Sequence, residues 1–205
     1  MRKTYTALAA LDFSDIPSGV LATDVLLKRS PVAFVRSGTI THGRYLTLFG
    51  GTTAAVEEAM EAALERGQSS VLDSVLLPDV HPEVYAAVFG ARQAVAEGTF
   101  AVIETSTVPA TLRAAEAALK GTAVRLVELR LADSGLAGKG VSVYRGELHD
   151  VEAAVELALA ALRDPSGSAA WRIVSAPHEA TAQHLLAGTA FAASRLLELP
   201  GEEET

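Results

Sequence analysis

Short apolar runs and longer runs of helical period follow one another along the 205-residue chain, and their order occurs twice. The first half opens with a strand at about 6–13. Pro17 then starts a helix, where its missing N–H costs nothing, and the helix stops before Pro31. Strands at about 32–36 and 45–49 follow, joined by a loop from Ser37 to Gly43, and Gly50 and Gly51 end the second strand. Thr52 or Thr53 caps a helix to about Arg66, with Val56, Met60, Ala63 and Leu64 on one face. A strand at 71–77, Pro78 and a helix at about 82–96 complete the half.

The second half repeats this order. A strand at 100–105 leads to a helix at 109–120 that Pro109 starts. Strands at 124–131 and 141–144 flank a loop from Ala132 to Gly140. A helix at 148–162 carries Val151, Val155, Leu159 and Leu162 on its buried face, a strand spans 171–175, and a last helix is expected at 179–198. Each half therefore reads β-α-β-β-α-β-α, an α+β unit of ferredoxin-like type.

The residues repeat as well as the pattern. Ala9 to Val35 lies on Ala101 to Val127 at an offset of 92, and eight of the 27 positions are identical, among them Pro17/Pro109, Ala22/Ala114 and Lys28/Lys120. The register resumes at an offset of 95 with Gly43/Gly138, Gly51/Gly146, Val56/Val151 and Glu57/Glu152. A period this long marks a fused pair of small domains rather than a solenoid. The expected boundaries are 4–97 and 98–199 with Gly98 as the hinge, followed by an acidic, disordered tail at 200–205. The copies differ in length between Arg36 and Gly43, which marks this loop as the place to expect function.

Composition narrows the classes. The chain is 49% hydrophobic and 5% aromatic, which suits close-packed layers of helix on sheet. Domains this small favour burial against neighbours. A net charge of −8 argues against nucleic acid, which needs clustered Lys and Arg. With no cysteine there is no disulfide, thiolate nucleophile or Cys-ligated cluster. Arg2 and Lys3 precede no apolar stretch of signal-peptide type, and no run reaches membrane-spanning length. These features imply a cytoplasmic protein with no membrane partner.

Asp24-Val-Leu-Leu-Lys28, Glu116-Ala-Ala-Leu-Lys120, Val141-Ser-Val-Tyr-Arg-Gly146 and Ser175-Ala-Pro-His178 together resemble the bacterial microcompartment shell domain, and Pro78-Asp-Val-His81 echoes the last of them. The resemblance runs from about Thr6 to Leu199, and the duplication points to the unpermuted tandem-domain members. It implies a structural protein and not an enzyme. Three chains would form a pseudohexameric homotrimer with a central pore, laid edge to edge with hexameric and pentameric shell proteins. Small metabolites would cross the pore, and no cofactor is expected. The missing cysteine removes the iron–sulfur cluster that some tandem members carry there.

The resemblance also assigns residues. Asp24, Lys28, Glu116, Lys120, His81 and His178 take tile-edge positions. The plainer alternative for each acid–Lys pair is an i,i+4 ion pair on a solvated face. The family's tile-locking Arg is replaced by Asp79 and Ala176. Thr41, His42, Gly43, Leu136, Ala137 and Gly138 align with the pore loop, and Arg44 and Lys139 flank it. Three His42 side chains near an axis would gate anions or hold a metal through three nitrogens; the plainer alternative is an exposed loop histidine. Arg44 and Lys139 either face the channel or are ordinary strand-edge charges.

Other chemistry fails on spacing. Asp133 to Gly140 lacks the first Gly and the Ser or Thr of a phosphate loop, and no HExxH or GxSxG occurs. The competing reading is a soluble trimeric small-ligand-binding or regulatory protein of the same fold.

Overall fold

A computed structural model describes residues 5–93, 97–163 and 169–197. The elements are β1 (Ala7–Phe13), α1 (Ile16–Arg29), β2 (Phe34–Thr39), β3 (Tyr45–Gly51), α2 (Thr53–Gly67), β4 (Val71–Leu77), α3 (Pro82–Val88), β5 (Thr99–Thr105), α4 (Val108–Gly121), β6 (Arg125–Leu131), β7 (Gly140–Gly146), α5 (Leu148–Ala160), β8 (Ala169–Val174) and α6 (Glu179–Ala187). They form two four-stranded antiparallel sheets, ordered β2-β3-β1-β4 and β6-β7-β5-β8. Each half is thus the expected ferredoxin-like β-α-β-β-α-β-α unit. Strand pairing equates Leu8–Leu77 with Phe100–Val174, so beyond the third strand equivalent residues stand 97 apart.

Alternation along β1 distributes its side chains. Ala7, Ala9, Leu11 and Phe13 pack with Ala22, Leu26, Val56, Ala59, Met60 and Ala63 beneath α1 and α2. Leu8 and Ala10 face the other way, toward Val84 and Tyr85 of α3.

Equivalent residues begin α1 and α4. The Asp15 carboxylate accepts from the Ser18 N–H (2.9 Å), and the Thr107 hydroxyl from the Ala110 N–H (3.1 Å). That backbone bond holds the Asp15 carboxyl below its ordinary range. Thr52, rather than Thr53, caps α2.

Three expected elements are corrected. β2 continues to Thr39, so the loop before β3 shrinks to residues 40–44. The helix from Pro82 ends at Val88 instead of near residue 96, because the chain turns through Gly90 at φ +87. Residues 94–96 lie outside the described residues. The last helix ends at Ala187 instead of 198, where Gly188 adopts φ +135. The expected acidic tail, 200–205, also lies outside the described residues.

Candidate functional site

The pore loops share a backbone device. His42 (φ 58) and Gly43 (φ 69) are left-handed, and so are their equivalents Ala137 (φ 49) and Gly138 (φ 82). Two consecutive left-handed residues, the first not glycine, are costly and persist only where the surroundings enforce them. In both loops they turn the chain sharply from the edge strand into its inner neighbour. Thr41, His42, Gly43 and Ala137 are exposed at the tips.

The two loops meet. A Cβ on Gly138 would lie 2.8 Å from the Arg44 guanidinium and 3.2 Å from the Thr41 methyl. The loops therefore abut at the same end of neighbouring sheets, within one chain.

Leu136 turns inward instead, into an apolar cluster with Phe100, Val127, Val141 and Val143. Arg44 donates to buried Asp12 through Nε (3.0 Å) and Nη2, and Lys139 pairs with the equivalent Glu104 at 2.6 Å. Both bases are thus matched by an acid on the first strand of their own sheet. Burial pushes the Asp12 carboxyl above its ordinary range, and Arg44 opposes that shift.

The second feature is the seam between the domains, which joins β4 and α3 of the first to α4 and β6 of the second. Its apolar part runs from Leu8, Val75, Leu77 and Val84 to Leu112, Ala115 and Leu119. Its polar part centres on Asp73, which accepts from Thr107 Oγ1 (2.5 Å) and faces Arg113 (3.2 Å) and Arg163 (3.4 Å). Arg113 also donates to the Ser74 carbonyl (2.6 Å).

Three of the predicted edge residues are brought together on this seam. Glu116 accepts from the His81 N–H (2.9 Å), while the Lys120 ammonium reaches Glu116 (2.7 Å) and the Asp79 carbonyl (2.5 Å). Asp24 and Lys28, their equivalents, form an exposed 2.6 Å pair of their own. His178 caps α6 through Nδ1, as His81 caps α3. Glu83 completes the seam, accepting from the Leu126 N–H (2.8 Å) and Arg125 Nε (2.5 Å).

Asp73, Arg113 and Arg163 carry no motif. The signal available for them was a mismatch between otherwise matching copies: Arg113 stands where the first copy has Leu21, and Asp73 where the second has Ala170.

The BMC domain family model matches this chain twice, at residues 7–80 and 99–176. The chain belongs to the BMC domain family. The tandem arrangement is that of microcompartment shell proteins. It is 29% identical over 182 residues to the bacterial microcompartment shell protein PduT of Citrobacter freundii, covering 89% of this chain and 98% of that one. A microcompartment protein structure from Desulfitobacterium hafniense superposes with a TM-score of 0.74 at 27% identity, covering 88% of this chain and all of that one. A fused permuted hexameric shell protein from the RMM microcompartment shares the fold, at TM-score 0.57 and 22% identity, covering 81% of this chain and 88% of that one.

In this tandem BMC chain the two domains present the same faces but do not bury them equally. Ten of the fourteen residues of α4 are buried, against four of fourteen in α1. Ile16, Val20 and Leu27 of α1 are 37%, 49% and 45% exposed, whereas their equivalents Val108, Leu112 and Leu119 are at most 5% exposed. β4 is mostly buried, whereas no residue of β8 is buried and Trp171 is exposed. The chain thus offers one open face of each kind: α1 with β2, and β8 with α6. No described helix is long and apolar enough to cross a membrane, and no metal-ligand cluster occurs among the described residues.

Proposed function

We propose that three copies of this chain close head to tail into a pseudohexameric tile of a cytoplasmic microcompartment shell, with a central pore for small metabolites. The observation that carries this reading is the pair of unequal seams. A head-to-tail contact leaves one face of each kind unsatisfied, and repeating it between chains closes a ring. The open α1 face repeats the apolar positions that α4 buries, so a second copy is its natural cover.

By equivalence, Lys28 donates to the partner copy's carbonyl at position 176, and Asp24 accepts from the backbone N–H at 178, as Lys120 and Glu116 do within the chain. The outer surfaces of Lys28 and Lys120, with His81 and His178 beside them, form the tile edge that meets other shell proteins. Thr41, His42, Gly43, Ala137 and Gly138 ring the axis, and Leu136 supports its loop from within. Passage is passive, ranked by width and polarity of the constriction. With Arg44 and Lys139 paired to acids, the imidazole of His42 is the main group left to select solutes. The tile performs no chemistry.

Light scattering tests this first. A particle of three times 21.3 kDa that appears in electron micrographs as a hexagonal tile with a central hole supports the ring. A monomer at all concentrations overturns it.

A further inference from the structure

A cleft of about 1010 Å³ opens between the two domains on the α3 side of the first sheet. Leu46 and Leu48 line it, beside an aromatic wall of Tyr5, Phe34, Tyr85 and Phe89. Phe34 and Tyr85 each stand 5.2–5.3 Å from Phe89, centroid to centroid. The second domain fills the corresponding space itself: Leu185 and Leu186 of the longer α6 cover Val141 and Val143, the equivalents of Leu46 and Leu48. α3 is two residues shorter, seven against nine; Val88, Phe89 and Gly90 at its end line the cleft, with Leu46 half-buried and Leu48 buried behind them.

Beyond α6 the chain carries apolar residues with nothing to cover them. Phe191 is 93% exposed and Leu196 is 91% exposed. Two such side chains close in sequence are unusual on a finished surface.

The internal seam shows where this segment goes in a ring. Arg92, in the segment that follows α3, crosses to the second domain, where it pairs with Glu128 and donates to the Leu185 and Leu186 carbonyls (3.1 Å each). The equivalents of those three residues are Arg36, Val88 and Phe89, and all three line the cleft. The equivalent of Arg92 is Thr189, just before Phe191. Thr189 itself is held on its own domain, its N–H donating to Glu128 (2.9 Å) and its hydroxyl accepting from Arg130 (3.0 Å). From that anchor the equivalence carries the residues beyond it to the cleft rim of the next copy, as Arg92 reaches from the first domain to the second.

We propose that residues 190–196 of one protomer lie in this cleft of the next, seating Phe191 and Leu196 against its aromatic and leucine wall. The segment acts as a clasp across each chain-to-chain seam and replaces the covalent linker found at the internal one. This inference rests on the ring reading above.

The chain's lack of cysteine makes the test specific. The variant Phe191→Cys with Phe89→Cys, treated with a short bis-maleimide, gives covalent dimer and trimer on a denaturing gel, and neither single variant does. In the otherwise intact chain, Phe191→Ser with Leu196→Ser raises the concentration at which the trimer dissociates by roughly tenfold or more. A trimer that shows neither cross-link nor weakening overturns the clasp and leaves the ring standing. A link confined to single chains overturns it too, by placing the segment in its own cleft. A wild-type chain that is monomeric throughout removes the ring and the clasp together.

Discussion

α1 and α4 hold the same place in their domains and begin at equivalent caps, yet α4 is buried along most of its length and α1 along one stripe. The apolar residues of the helices are shared, as are the acid–Lys pairs Asp24/Lys28 and Glu116/Lys120; the charged residues at the centre of the seam are not. On the internal seam Asp73 gathers Thr107, Arg113 and Arg163. At the open faces the corresponding positions are Ala170 on β8, with Trp171 beside it, and Leu21 on α1. A seam made once within a folding chain can carry a buried charge network, because its partners never separate. In the proposed ring the chain-to-chain seam would form by encounter, and at these two positions it has apolar surface in place of charge, which needs no matched geometry to be favourable.

The largest test of this contrast removes the centre of the internal network. Asp73→Ala leaves the largely buried Arg113 without its carboxylate, while Arg163 is mostly in solvent, and should lower the unfolding free energy by about 3 kcal/mol in urea titrations. Loss below 1 kcal/mol would mean that the charges are decoration on an apolar seam. Next comes the open face. Trp171 is the only tryptophan, so its emission should shift to the red as the protein is diluted through dissociation. Trp171→Ala should weaken assembly by roughly 2 kcal/mol while leaving monomer stability nearly unchanged.

A third test concerns how each copy fits helix to sheet. In the first domain Gly19 on α1 accommodates Tyr45 on β3, since a Cβ at Gly19 would come within 2.5 Å of the ring. In the second, the equivalents are reversed in size: Thr111 on α4 faces Gly140 on β7, where a Cβ would lie 1.9 Å from the Thr111 hydroxyl. Gly19→Thr alone should cost roughly 1.5 kcal/mol or more, and adding Tyr45→Gly should restore part of it. Additive losses would show that the two sites are not a matched pair.

The smallest effect is at the caps. The Asp15 carboxyl titrates below its ordinary range, so its cap is intact above that range and is lost as pH falls through the lowered value. Thr107 does not titrate. On acidification the Ser18 amide should lose hydrogen-exchange protection before the Ala110 amide does; equal loss would assign the effect to global unfolding.

Much of this was legible in the chain. The repeat, the element order, the Pro17 and Pro109 helix starts and the β4 span of 71–77 all follow from local periodicity and turn chemistry. Helix ends were less so: α3 and α6 stop at glycines in left-handed backbone, and the apolar residues after α6 resemble a continuing helix until the turn at Gly188 is known. The inward turn of Leu136 and the capture of Arg44 by Asp12 were also hidden, since each depends on a residue brought close only by strand pairing.

By itself, then, the sequence determined that there are two like domains, what each is made of, and which small loop differs between them. Only the tertiary structure decided which copy of each shared face is covered. A two-domain chain has room for one internal seam, so α4 and β4 are buried within it while α1 and β8 are left open. The apolar residues of the two helices are nearly the same kind; what separates them is whether the neighbour is supplied by the same chain.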